Sequence, residues 1–194
     1  MARDRASRPE AKPLRLFVAF DIPEDIRDAV ESAVAPWRKR YPRAKWVPKP
    51  NQHVTLKFLG TTWPRLVEWV RDGIGQAARA NKHARTRVTG LGAFPNERRG
   101  RVLWTRLDDD DHRLARIAAS LDEGLSREFA PEKRAFTPHL TVARFDPPVT
   151  LEGLEGVLLG SEPFDVDRIV LYRSHLRRPA PVYEPFATFP LGSE

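Results

Sequence analysis

The sequence predicts a fold of two similar lobes, each built from strands and helices, with a cleft between them. The first observation is a tetrad that occurs twice, as His53-Val54-Thr55-Leu56 and as His139-Leu140-Thr141-Val142, at a spacing of 86 residues (139 − 53). The second is that the same shift places the run Arg15-Leu16-Phe17-Val18 on Arg101-Val102-Leu103-Trp104, a strand on a strand. A duplicated module would show this regularity, and a cleft between its two copies is where a ligand site is expected.

The first half begins with a buried strand, because Arg15 to Phe20 is an apolar run between a polar tail and a turn. A helix follows, since Asp21-Ile22-Pro23-Glu24 has the carboxylates and the proline of a helix start. Pro36 is expected to kink this helix or end it early. Lys45-Trp46-Val47 then predicts a short extended segment, and the first His-x-Thr strand runs from about Gln52 to Leu59.

The middle of the chain predicts a helix capped by Thr62 and two strands, Arg85 to Leu91 and Arg101 to Leu107. Gly90 to Pro95 predicts a loop between these strands, because the third glycine of a dinucleotide-binding fingerprint is absent and no helix follows. The carboxylates of Asp108 to Asp111 could hold a divalent metal, but carboxylates before a helix also cap it and complement its dipole. No second acidic cluster completes a metal site, so capping of the next helix is favoured.

The second half continues with the second His-x-Thr strand. Thr150 to Leu159 predicts a short helix, and Phe164 to Tyr172 and Val182 to Phe189 predict two closing strands. We expect residues 1–13 to be a flexible basic tail and residues 14–194 to form a single bilobal domain.

Composition narrows the class of protein. The chain has 194 residues, of which 41% are hydrophobic and 30% charged, as in soluble globular domains. It has no cysteine, which excludes disulfides and thiolate metal sites. No apolar run is long enough to span a membrane, and the first dozen residues lack the apolar core of a signal peptide, so a cytoplasmic location is expected. The net charge of +7 favours a polyanionic partner, nucleic acid first.

The tetrads carry the candidate chemistry. On a strand, residues i and i+2 share one face, so His53 and Thr55, and likewise His139 and Thr141, should project into the cleft together. Two imidazoles facing each other can act as acid and base near neutral pH, and two hydroxyls can donate to phosphoryl oxygens. The pattern therefore predicts a metal-free site for a phosphodiester.

Several further residues are candidate RNA contacts. Strict alternation puts Lys57 on the face of His53 and Thr55, while it puts Phe58 in the core behind them. The aromatic residues Phe17, Trp46 and Tyr172 could stack on a base. A plain surface position for Lys57 and core packing for the aromatic residues are the competing interpretations.

The tetrads and the residues around them resemble the RNA 2′,3′-cyclic phosphodiesterases historically called 2′-5′ RNA ligases, within the two-histidine phosphoesterase superfamily. The resemblance covers about residues 14–192. Besides the two tetrads, its landmarks are Arg15-Leu16-Phe17-Val18-Ala19, Trp46-Val47, Gly90 to Pro95, Arg101-Val102-Leu103-Trp104, Phe136 to Arg144 and Leu171-Tyr172-Arg173-Ser174.

The resemblance implies an α+β bilobal fold with antiparallel sheets lining a basic cleft. It implies opening of a terminal 2′,3′-cyclic phosphate of RNA to a 2′-phosphomonoester, without metal or nucleotide cofactor, and possible ATP-independent joining of 2′-5′ linkages. By position, His53 is the proton donor, His139 the proton acceptor, and Thr55 and Thr141 bind the phosphate.

Three further contacts follow from the resemblance. Arg144 matches an arginine that contacts phosphate in the family, although strict alternation puts it opposite His139 unless the strand ends or bulges near Ala143. Arg173 and Ser174 are expected near the RNA on resemblance alone.

Because one chain completes the cleft, we expect a monomer.

Three alternatives stay open at this point. The same fold could be a non-catalytic RNA- or nucleotide-binding module, although intact His and Thr in both halves disfavour this. The substrate could be a small cyclic nucleotide. A metal-dependent phosphodiesterase is a further possibility, which the lack of a clustered His/Asp motif disfavours.

Overall fold

The computed structural model of the chain describes residues 12–193, so residues 1–11 of the expected basic tail lie outside the described part. Over these residues the chain forms ten strands and three α-helices. The strands are β1 (Leu14–Asp21), β2 (Lys45–Trp46), β3 (His53–Thr62), β4 (Ala84–Thr86), β5 (Val88–Phe94), β6 (Gly100–Leu107), β7 (His139–Val149), β8 (Phe164–Val166), β9 (Arg168–His175) and β10 (Val182–Pro190). The helices are α1 (Glu24–Arg40), α2 (Val67–Ala80) and α3 (Arg113–Gly124).

The strands confirm the α+β class with antiparallel pairing. The main sheet has the order β10-β9-β1-β3-β7-β6-β5, with β2 added to β7, and β4 pairs with β8 in a small second sheet. The sheet divides into two four-stranded portions, β10-β9-β1-β3 and β2-β7-β6-β5, and each portion combines two strands from each half of the chain. The two portions meet through a single pair, Val54 with Leu140, so the two expected sheets are joined into one continuous sheet.

The helices cover one face of this sheet and leave the other face to the cleft. Alternate residues of β1, Leu16, Val18 and Phe20, belong to the main core together with buried residues of all three helices. The intervening residues Phe17 and Ala19 form a separate small cluster with Val170 and Tyr172 on the opposite face. The period-2 alternation of the strand therefore separates the core from the face that carries the candidate site.

Three expected elements differ from the structure. Pro36 does not end α1 early, because the helix continues to Arg40. Pro36 and Ser32, four residues before it, are both exposed, so water can reach the Ser32 carbonyl, which Pro36 cannot bond. Thr62 ends β3 and caps no helix. No helix forms over residues 150–159, because Gly153 has φ +85° and so cannot continue a right-handed helix. Leu151 and Leu154 are nevertheless buried in the core.

The expected loop at Gly90 to Pro95 is largely strand β5. Gly92 pairs with Trp104 of β6, and a Cβ at this position would lie 2.6 Å from the Trp104 ring. Packing therefore requires glycine at this position, because the absence of a Cβ lets the Trp104 indole lie directly against the neighbouring strand.

The acidic run before α3 caps the helix, as expected. The Asp109 carboxylate accepts hydrogen bonds from the backbone N–H groups of Leu114 (2.9 Å) and Ala115 (2.9 Å), and Asp111 accepts one from the N–H of Arg113 (3.1 Å). Along residues 12–193, no helix is long and apolar enough to cross a membrane.

Candidate active site

The two tetrads lie at the junction of the two halves. Val54 and Leu140, which pair across this junction, are equivalent under the 86-residue shift. An antiparallel pair of equivalent residues has a local twofold axis between its members, so each tetrad faces the other in the same way. His53, Thr55, His139 and Thr141 accordingly line one cleft of about 540 Å³.

Each imidazole is held by the carbonyl two residues before it. Nδ1 of His53 lies 2.8 Å from the oxygen of Asn51, and Nδ1 of His139 lies 2.8 Å from the oxygen of Thr137. A carbonyl only accepts, so each Nδ1 carries the proton and donates it, which leaves Nε2 of each neutral ring as the atom that can take up or give a further proton. Nε2 of His53 is 3.1 Å from Oγ1 of Thr55, which links the two polar residues of the first tetrad.

The two histidines have different surroundings. The His53 ring lies among the rings of Phe17 (4.8 Å between centroids), Tyr183 (5.2 Å) and Tyr172 (6.2 Å). The His139 ring makes edge contacts with Phe94 and Trp104. Burial lowers the pKa of His53 below its ordinary value, and the hydrogen bond to the Asn51 carbonyl offsets only part of this effect.

We expect the His53 imidazole to titrate below pH 6.5 in the free protein, because burial disfavours its charged form. Inorganic phosphate bound in the cleft should raise this pKa, because an anion near Nε2 stabilises the imidazolium. Titration of the ring C–H signals by NMR measures both effects, with the signal of His53 identified by its loss in His53→Gln. A His53 pKa at or above 6.5 without phosphate would contradict the described burial.

A bulge in each tetrad strand interrupts the alternation at equivalent places. The register of β7 against β6 passes from Thr141 to Ala143 and skips Val142, and the register of β3 against β1 passes from Thr55 to Lys57 and skips Leu56. In both strands the bulge turns two consecutive residues towards the core and brings the following residue back to the cleft.

The bulge of β7 brings Arg144 into the cleft beside His139 and Thr141. The predicted contact of Arg144 with phosphate depended on such a bulge. The equivalent residue of the first half is Phe58, 86 positions earlier. Phe58 also lines the cleft and is 60% exposed, so its expected place in the core was wrong.

Lys57 does not lie on the face of His53, which corrects its expected contact with RNA. The bulge turns it towards α3, where it is 1% exposed and its ammonium donates to the Asp122 carboxylate. Strict alternation had exchanged the positions of Lys57 and Phe58, because it does not allow for the extra residue at Leu56.

Trp46 and Arg173 also lie outside the cleft lining. The Trp46 indole donates to the carbonyl of Tyr41 (3.0 Å) and carries the Arg38 guanidinium at 4.6 Å from its centroid, while the next residue, Val47, lines the cleft. Arg173 lies opposite Glu184 in the register of β9 and β10, on the face opposite Tyr172, and the Glu184 carboxylate contacts His175. Neither residue lines the cleft, and their contacts with RNA stay predictions.

The remaining predicted contacts surround His53. Phe17 lines the cleft but is 4% exposed, and it serves as a stacking surface for His53 and for Tyr172 (5.3 Å between centroids). Tyr172 is buried and donates to the Asp21 carboxylate (2.7 Å), and burial raises the pKa of its hydroxyl. Ser174 lines the cleft as expected.

Sequence reasoning missed several residues of the cleft. Arg15 and Tyr183 both line it, and burial raises the pKa of the Tyr183 hydroxyl while Arg144 and Arg15 oppose this rise. The signal for Arg15 was available, since it alternates with Phe17 on β1. Tyr183 carries no motif and reaches the site only through the pairing of β10 with β9.

The charge of the cleft suits an anion. Arg15 and Arg144 line it, and within the described residues no Asp or Glu side chain does. Over the same residues, no group of three or more His, Asp or Glu side chains is arranged to hold a metal ion. The arrangement can therefore bind a phosphate through arginine and threonine, and can move protons to and from it through two Nε2 atoms.

Comparison with known proteins identifies a family and a fold. The family model of the 2′-5′ RNA ligase superfamily matches residues 23–178. An RNA 2′,3′-cyclic phosphodiesterase of Thermus thermophilus is 32% identical, over 93% of this chain and 92% of the relative. A protein of the same name from Geobacillus stearothermophilus is 28% identical over 90% of this chain, which spans only 56% of that relative's length.

Solved structures give the same fold. The crystal structure of the protein TT0787 of Thermus thermophilus superposes with a TM-score of 0.76 and 29% identity, over 93% of this chain and all of the other. The family model covers well over half of the chain. The chain belongs to the 2′-5′ RNA ligase superfamily.

Proposed function

We propose that this protein hydrolyses the terminal 2′,3′-cyclic phosphate of RNA to a 2′-phosphomonoester. The observation that carries the proposal is the pair of imidazoles, each held through Nδ1 so that Nε2 is the atom for proton transfer, in a cleft lined by two arginines and by no described carboxylate. The curated relatives named RNA 2′,3′-cyclic phosphodiesterase support the choice of substrate.

In the proposed reaction, Nε2 of His139 takes a proton from water, whose oxygen attacks the cyclic phosphorus. The bond from phosphorus to the 3′ oxygen breaks, and His53 protonates that oxygen. Thr55 and Thr141 donate to the non-bridging oxygens, and Arg144 balances their charge.

A proton donor must carry its proton when the reaction begins, and burial, which lowers the pKa of His53, opposes this in the free protein. The anionic substrate keeps His53 protonated until the reaction, because its charge lies next to Nε2.

The remaining features of the proposal follow from the same site. We propose that catalysis needs neither metal nor cofactor, and that the partner is RNA with a cyclic phosphate end or a 2′-5′ linkage. We further propose that the protein acts in the cytoplasm as a monomer, with residues 14–194 as a single domain. The main core, which contains residues of both halves, supports the single domain.

Incubation of the EDTA-treated protein with an RNA oligonucleotide ending in 2′,3′-cyclic phosphate tests this function. We expect complete conversion to the 2′-phosphate, because His53 protonates the 3′ oxygen. A 3′-phosphate product would reverse which oxygen leaves. Loss of turnover on EDTA treatment, restored by a divalent metal, would favour a metal-dependent enzyme, and RNA binding without turnover would favour a binding module.

A further inference from the structure

A second groove, of about 390 Å³, meets the cleft at Arg144, which lines both cavities. Residues 40–45, which span the end of α1 and the start of β2, form one of its walls. We call it the α1–β2 groove. The rings of Tyr41 and Phe145 also line it, in edge contact at 5.6 Å between centroids. The groove therefore extends the candidate site beyond the four tetrad side chains.

The lining of the α1–β2 groove is strongly positive. It contains four cationic side chains, all of them exposed: Arg40, Arg43, Lys45 and Arg144. Within residues 12–193, no carboxylate forms an ion pair with any of the four. The one described carboxylate of the lining is that of Asp146, which lies 3.6 Å from the Arg101 guanidinium. The groove consequently presents unpaired cations to solvent.

Lys45 and Arg144 hold two of these charges together. They are partners in the antiparallel pairing of β2 with β7. Side chains directly opposite each other in such a pair project from the same face, where like charges are destabilising. An anion bound between the two side chains removes this repulsion, so the pair is suited to a phosphate.

The α1–β2 groove opens on the His53 side of the cleft. Strand β7 pairs with the first half of the chain at two places, Leu140 with Val54 and Arg144 with Lys45. His53 lies between these two pairs along the chain, whereas the second imidazole, at the start of β7, lies outside them. Movement along β7 from the tetrads towards the groove is therefore movement towards His53.

The proposed reaction puts the ribose of the substrate on this side. In an in-line displacement the leaving oxygen lies opposite the nucleophile, and His53 protonates the leaving 3′ oxygen. The 3′ oxygen and the 5′ carbon belong to the same ribose. The RNA strand that continues from the 5′ carbon consequently leaves the cleft on the side where the groove opens.

We propose that the α1–β2 groove binds the backbone phosphates upstream of the cyclic phosphate end, so that the protein selects RNA strands over cyclic mononucleotides. The proposal rests on the function proposed above. Arg144 serves the cyclic phosphate, and Lys45, Arg43 and Arg40 follow the upstream backbone. Each phosphate contact releases counterions from the strand. Contacts of this kind read the length of the strand and not its sequence.

The first test uses the wild-type protein and varies the substrate. A nucleoside 2′,3′-cyclic phosphate with a free 5′-hydroxyl is compared with RNA oligonucleotides of increasing length that end in the same cyclic nucleotide. We expect kcat/KM to rise about tenfold over about three upstream phosphates, one for each cation of the groove outside the cleft, and then to level off. Its dependence on salt should steepen by about 0.7 in the log–log slope for each phosphate contacted.

Uncharged linkages identify the phosphates as the cause. Methylphosphonates in place of the upstream phosphates should abolish the gain in kcat/KM and the added salt dependence. This comparison also uses the wild-type protein, so it stands even if a variant fails to fold. An undiminished gain with methylphosphonates would contradict binding by charge.

Arg43→Ala/Lys45→Ala removes two cations of the groove at exposed positions. It should raise KM for the oligonucleotide about fivefold with kcat unchanged, because these contacts are the same in the ground state and the transition state. The cyclic mononucleotide has no upstream phosphate, so its kinetics should not change. Lys82→Ala/Arg85→Ala loses the same charge at exposed positions outside both cavities, and it should change neither substrate.

Each result separates the two proposals. Wild-type protein that hydrolyses neither substrate would overturn the proposed function itself. Hydrolysis of both substrates with equal kcat/KM and equal salt dependence would overturn only the role of the groove. An equal loss on both substrates in Arg43→Ala/Lys45→Ala, or no loss on the oligonucleotide, would also overturn it. A loss confined to Arg177→Ala/Arg178→Ala, at the exposed turn between β9 and β10, would place the upstream strand there instead.

Discussion

His53→Ala and His139→Ala are each expected to lower kcat for hydrolysis of the cyclic phosphate by about 10²–10⁴-fold. Each variant removes the only Nε2 atom at its end of the tetrad pair, and no described carboxylate lines the cleft to replace it as acid or base. The double variant should lose much less than the product of the two single effects, because the two groups act in one step. The rates are measured on the same oligonucleotide under saturating substrate.

Two further variants keep this prediction specific. His53→Gln preserves the bulk that contacts Phe17 and Tyr183, so it should remain folded and equally inactive. His83→Ala, at a histidine outside the cleft, should retain wild-type activity. Substantial activity in either tetrad variant would contradict the acid–base roles.

Lys57→Met is expected to lower the free energy of unfolding by about 3 kcal/mol, because it leaves the Asp122 carboxylate largely buried without its cation. The Asp122 side chain is 22% exposed, which places the effect at the lower end for a broken buried pair. In this size of protein the melting temperature should fall by about 6–12 °C. Denaturant or thermal unfolding measures the change.

Lys57→Met/Asp122→Asn tests the cause. The asparagine removes the uncompensated charge but can still accept from the N–H of Glu132, so the double variant should recover much of the lost stability. Lys39→Met, at an exposed lysine of α1, should change stability little. At a temperature where it stays folded, Lys57→Met should hydrolyse RNA normally. A selective loss of RNA affinity without a loss of stability would restore the RNA contact expected from strand alternation.

The sequence was sufficient to predict the features that repeat. The two tetrads and the 86-residue shift predicted two equivalent strands facing each other, and the pairing of Val54 with Leu140 has this geometry. The cap of α3 by Asp109 followed from local hydrogen-bonding chemistry alone.

The sequence was not sufficient where long-range packing determines which face of a strand a residue occupies. The bulges at Leu56 and Val142 reverse the faces of the residues that follow directly, and only the pairing with β1 and β6 shows them. The repeat itself contained a clue, because Phe58 and Arg144 are equivalent and alternation could not bring either residue to the cleft.

Replacing the 3′ bridging oxygen of the cyclic phosphate by sulfur gives the most direct test of the two-histidine account. A thiolate leaves without protonation, since a thiol has a pKa of about 8.5, far below that of an alcohol. The account predicts that His53→Ala hydrolyses this substrate at nearly the wild-type rate, while His139→Ala remains slower by about 10²-fold or more. Recovery of His139→Ala instead, or equal deficits in both variants, would contradict the assignment of His53 as donor and His139 as acceptor.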